Sequence, residues 1–142
     1  DTYSFGYSSS GFSDMPMNHK IFLAQFDAIK KLAGEGPCVM VGRCADYALA
    51  DWSDCFSIFV HADIDWRINR IASKHGKTPK EAKDMISKTD KSRASYYNYY
   101  TNKKWGAAKS YNLCVDSSKL GIDHAIEMVI ESIKIFDSIK SK

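Results

Sequence analysis

The stretch Gly36-Pro37-Cys38-Val39-Met40-Val41-Gly42-Arg43 decides the fold class of this chain. A short apolar run bounded by Gly-Pro and Gly-Arg predicts a strand that is apolar on both faces, Cys38–Gly42. Such strands belong to parallel sheets covered by helices on both sides. Gly42 allows the backbone to turn sharply there. Arg43 then sits beyond the strand's carboxyl end, where open α/β sheets bind ligands.

Helical periods flank this strand. From Asn18, the residues Ile21, Phe22, Gln25, Ile29 and Leu32 recur at three- and four-residue spacing, as far as Gly34-Glu35-Gly36-Pro37. Residues 1–17 are rich in Ser, Gly and aromatics without a period, and are expected to be irregular. A short helix is predicted from Ala45 to Leu49, then a second strand over Phe56–Val60. Asp63 can cap a helix over 64–74 that has Ile64, Ile68 and Ile71 on one face. Thr78-Pro79-Lys80-Glu81 reads as a helix start, with Thr as cap, Pro at the first position and Glu closing a capping box. That helix continues past Arg93 into Tyr96-Tyr97-Asn98-Tyr99-Tyr100. Tyr111–Val115 is the third strand. A last helix over 122–139 is expected to turn Ile122, Ile126, Val129, Ile130, Ile133 and Phe136 to the core. Alternating helices and strands predict an α/β domain over 18–142 with a mostly parallel sheet.

Composition agrees with one globular unit: 142 residues, 44% hydrophobic, 13% aromatic, 26% charged and a net charge of +3. This apolar content argues against disorder. No apolar run approaches the roughly 20 residues of a membrane helix, and no secretory leader is expected. The four cysteines, Cys38, Cys44, Cys55 and Cys114, have no CxxC spacing and are expected to be reduced thiols in a cytoplasmic protein.

Gly76-Lys77-Thr78 imitates the end of a phosphate loop. The motif requires a glycine where Ile71 stands, and a preceding strand where the chain is helical. Arg43 is the stronger candidate: its planar fork suits a phosphate, and Asp46 can orient it, although a surface Arg–Asp pair would look the same. Arg67 and Arg70 share one helical face, as do Asp90 and Arg93 on the next helix. Arginines over a phosphate crevice neutralise a transferring phosphoryl group and help exclude water. The alternative is a solvated basic face, continued by Lys88, Lys91, Lys103 and Lys104. The tyrosine run could stack on bases, but packing at a helix end is favoured. His61 is read as a structural histidine. The other histidines have no ligand spacing, so no metal site is assigned.

Gly36–Asp46, His61-Ala62 with Arg67-x-x-Arg70, Lys88–Tyr97, and Trp105-Gly106 with Tyr111–Ser117 together resemble the bacterial cytidylate kinase-like family over roughly residues 18–140. That family is a set of nucleoside monophosphate kinases with a three-layer α/β/α, P-loop fold and a parallel sheet. The resemblance implies transfer of the γ-phosphoryl of ATP, with Mg²⁺, to CMP or dCMP. It also implies a lid over about residues 75–110. Arg43 would hold the acceptor's phosphate, with Asp46 nearby; here Cys44 directly follows the arginine. Asp90 would meet the ribose and Arg93 the monophosphate, while Arg67 and Arg70 would approach the ATP phosphates. Asp116-Ser117 resembles a turn near the phosphate loop.

The family's fold begins with a strand and a glycine-rich loop, and no residues before Asn18 match them. Unpartnered strands would leave backbone groups unsatisfied, so about 50–60 further residues are expected upstream. The 142-residue chain alone is then expected to bind acceptor weakly and to lack kinase activity. A non-catalytic nucleotide-binding or regulatory protein of the same fold is the alternative. A single-strand nucleic-acid module over 88–111 is the weaker rival. Small-molecule nucleotides are the expected partners, without membrane or nucleic acid, and an exposed sheet edge would favour homo-oligomers.

Overall fold

A computed structural model of the chain describes residues 15–140. The chain divides into two compact units, residues 1–49 and 50–142.

In the first unit, α1 (Met15–Glu35) precedes an irregular segment and the short α2 (Ala45–Ala48). The irregular segment expected at 1–17 lies outside the described residues as far as residue 14. Phe22 and Ile29, two helical turns apart, are the buried positions of α1. Each such burial stabilises by roughly 1.5–3 kcal/mol. Phe26 lies 5.9 Å from Phe22 and 6.1 Å from Tyr47, and the Lys30 ammonium stands 4.6 Å above the Phe26 ring.

The strand expected at Cys38–Gly42 does not form. The segment has no regular secondary structure and pairs with no described strand, and Val39 and Val41 are 94% and 90% exposed. A continuous apolar run is fit for a buried strand, but a ladder needs a neighbour with free N–H and C=O groups.

The second unit places β1 (Ile58–His61) and β2 (Leu113–Asp116) side by side as a two-stranded parallel sheet. The crossover carries α3 (Ile64–His75) and α4 (Pro79–Thr101). Phe59 pairs with Cys114, and His61 with Asp116. Asn112 sets this register: its Oδ1 accepts from the Ser57 amide at 2.8 Å and the Ser57 hydroxyl at 2.9 Å. At the other end Ser118 Oγ accepts from the Asp63 amide, and Ser117 Oγ donates to the His61 carbonyl. A mixed α/β class is therefore correct for the chain.

The helix starts follow their residues. Asp63 accepts from the amides of Asp65 and Trp66. Thr78 and Glu81 form both bonds of a capping box. Gly76, the false phosphate-loop glycine, instead closes α3 in a left-handed conformation. Asp116 caps α5 (Ser117–Leu120).

α6 (Ile122–Lys140) packs on α5 and β2 through Ala125 and the half-buried Val129 and Phe136, with Phe136 4.9 Å from Phe56. The rest of its expected core face is exposed: Ile122, Ile126, Ile130 and Ile133. Two strands are too narrow to cover five turns of helix. No described helix is long and apolar enough to cross a membrane.

Candidate functional site

The second unit holds a cavity of about 680 Å³ beyond the carboxyl end of β1. Helical periodicity delivers its polar groups. On α4 the buried residues Ala82, Ile86, Tyr97 and Thr101 define one face. Asp90 and Arg93 fall on that face, between Ile86 and Tyr97, at steps of four and three residues. On α3, Trp66, Arg67, Arg70 and Ile71 line the opposite wall. Four of the expected site residues, Arg67, Arg70, Asp90 and Arg93, therefore meet in one cavity. Arg43 and Asp46 belong to the first unit.

The floor is aromatic. Phe59 stacks on Tyr111 at 4.8 Å, meets Trp105 edge-on at 5.3 Å and lies 6.4 Å from His61. The loop after α4 is held by Asn98, whose Oδ1 accepts from the Trp105 amide at 2.7 Å. At Gly106 the backbone has φ +75, and an added Cβ would lie 3.3 Å from Phe59 Cζ. Trp66, Trp105, Phe59 and Gly106 went unrecognised as lining residues in the sequence. The Trp105-Gly106 pair directly after Lys103-Lys104 was the available signal. Of the tyrosines, Tyr97 is buried near Tyr111, as packing requires, and Tyr99 is exposed.

Three guanidinium groups and one carboxylate line the cavity. Arg67 donates Nη1 to Asp90 Oδ2 at 2.7 Å and Nη2 to Asp90 Oδ1 at 2.8 Å. This two-bond fork holds the Arg67 pKa above its ordinary value, against the opposing effect of burial. The Arg70 guanidinium lies 5.5 Å from the Trp66 ring centre. Arg93 is exposed and makes no ion pair with another described residue. At the strand ends the Ser118 hydroxyl bond lowers the Asp116 pKa, helped by the amides of α5.

In the first unit, Gly42, Arg43 and Cys44 are three successive left-handed residues, at φ 72, 56 and 56. Non-glycine residues in this region cost about 1–3 kcal/mol each and cluster at ligand clamps. Burial, with the nearby Asp46 charge, pushes the Cys44 thiol up to about 12. Asp46 lies in the first turn of α2. Among the described residues no group of three or more His, Cys, Asp or Glu could hold a metal ion. Cys38, Cys44, Cys55 and Cys114 are all unbridged.

A cation-walled, aromatic-floored cavity at a strand's carboxyl end suits a phosphorylated ring compound. A fold match, with a TM-score of 0.79 and 34% identity, is the crystal structure of an uncharacterized protein from Eubacterium ventriosum ATCC 27560. The match covers 82% of this chain and 74% of that one. No curated protein matches the chain. The model of the cytidylate kinase-like family matches residues 2–119, which span Arg43 and the whole cation-lined cavity. By that match, this chain belongs to the cytidylate kinase-like family.

Proposed function

We propose that the protein transfers the γ-phosphoryl group of ATP to a nucleoside monophosphate resembling CMP or dCMP, in a three-layer P-loop kinase architecture with residues 75–110 as lid. One observation carries this reading: Arg67, Arg70 and Arg93, from two successive helices, converge on a single cavity with an aromatic floor. Phosphoryl transfer asks a protein mainly to position phosphates and to offset their charge, and arginines on separate elements do both. Arg70 and Arg93 would meet phosphate oxygens, and Arg67 would join them on displacing Asp90. The family resemblance assigns the ribose to Asp90 and the acceptor phosphate to Arg43, with Asp46 beside it. Mg²⁺ arriving with ATP would supply further charge neutralisation along the phosphates.

An acceptor screen of the complete protein, with ATP and Mg²⁺, against CMP, dCMP, UMP, AMP and free nucleosides tests the proposal. Turnover of CMP or dCMP, abolished by Arg93→Ala, is the expected result. Nucleotide binding without turnover of any acceptor would instead mark a non-catalytic nucleotide-binding protein. Absence of both would overturn the reading.

A further inference from the structure

The three guanidinium groups of the cavity are engaged differently. Both terminal nitrogens of Arg67 are committed to Asp90, in a partly buried pair with side-chain exposures of 31% and 25%. Arg70 rests over an aromatic ring, and Arg93 has no ion-pair partner among the described residues. A carboxylate in an arginine fork makes the same two parallel N–H···O bonds that a phosphate would make. The two residues are 23 positions apart, and their pairing closes α3 against α4 on the cavity wall.

We propose that Asp90 is an internal counter-anion that latches Arg67. Arg70 and Arg93 are the cations open to a first phosphate, and Arg67 is a reserve anion subsite. An anion gains Arg67 only by exchanging with a carboxylate already in place. Ligands with a single small anionic group leave the latch closed. A polyphosphate, carrying more charge over a longer span, competes for the fork. This inference rests on the reading of the cavity as a phosphate site.

Calorimetric titration with inorganic pyrophosphate at fixed ionic strength tests the latch. Asp90→Asn keeps the shape of the side chain while releasing the Arg67 fork. It is expected to bind pyrophosphate about tenfold more tightly than the wild type, as an added charge a few ångströms away implies. The pair Arg67→Gln with Asp90→Asn leaves the net charge unchanged and is expected to match the wild type within about threefold. Asp90→Asn binding less than about threefold tighter overturns the latch. So does a larger than threefold loss in the double variant, because Arg67 would then already serve the ligand. The double variant leaves no lone charge, so a larger than threefold loss there still overturns the latch if Asp90→Asn fails to fold.

The underlying reading fails separately, when Arg70→Ala with Arg93→Ala leaves wild-type binding of pyrophosphate and CMP unchanged. Binding by Asp90→Asn but not by the wild type would keep the latch and remove Arg70 and Arg93 as a first phosphate subsite. Absence of binding by both would overturn both.

Discussion

Replacing Gly106 with alanine probes the join between the Trp105–Gly106 loop and the cavity floor. Gly106 has φ +75, and its added Cβ would meet Phe59 Cζ at 3.3 Å and Cε1 at 3.6 Å. The left-handed backbone alone costs alanine about 1–2 kcal/mol. The stiffer unfolded chain offsets about 0.4–1 kcal/mol of that. Phe59 cannot simply yield, because Tyr111 and Trp105 hold its ring from two sides. The crowding adds about 1 kcal/mol, at the lower end for overpacked sites. The net loss is about 1–2 kcal/mol. Gly76→Ala is the internal control: it is also left-handed, at φ +59, but nothing lies within 4 Å of its added Cβ. That variant should lose only about 0.5–1 kcal/mol. Urea unfolding followed by tryptophan fluorescence measures both. With an m-value near 2 kcal/mol/M, Gly106→Ala lowers the midpoint by about 0.5–1 M. Adding Phe59→Leu should recover part of the excess, since the two sites are in contact. If Gly106→Ala is no more destabilising than Gly76→Ala, the Phe59 contact is not tight and the reasoning fails.

Thr78→Ala should cost about 1 kcal/mol in thermal melts, with Thr78→Ser close to wild type. The Thr78 backbone bond lowers the Glu81 pKa below its ordinary 4.5, so its stabilisation is full above that pH and disappears as pH falls through the lower folded value. A flat response in acid melts, or the same slope in Glu81→Gln, would refute that linkage. Cys38 is exposed, whereas Cys44 is buried with its thiol pushed up to about 12, so iodoacetamide at pH 8 should label Cys38 first. Equal labelling rates by peptide mass mapping would contradict the burial. Asn112→Ala removes the acceptor of two Ser57 bonds and should cost about 1–3 kcal/mol. Asn112→Asp keeps an acceptor oxygen and should recover most of the loss in the same melts.

Much of the fold is legible residue by residue because its causes are local. Asp63, Thr78, Pro79 and Glu81 satisfy helix-end amides within three positions of themselves, so spacing alone places α3 and α4. The same periodicity puts Arg67 with Arg70 and Asp90 with Arg93, and all four line the cavity. Other features depend on distant partners. Cys38–Gly42 has the composition of a buried strand, yet no described strand offers it a ladder. The apolar stripe of α6 is regular, but a two-stranded sheet cannot cover it. Phe59 gains its role from Trp105 and Tyr111, about fifty residues away.

The sequence by itself therefore determined the α/β class, the starts of α3 and α4 and the basic helix faces, since these follow from dihedral preference, capping and period. Only the tertiary structure decided that Arg67 is held by Asp90, while Arg70 and Arg93 line the cavity without an ion-pair partner among the described residues. A salt bridge between two helices depends on their crossing and separation, and no spacing along one chain encodes that distance.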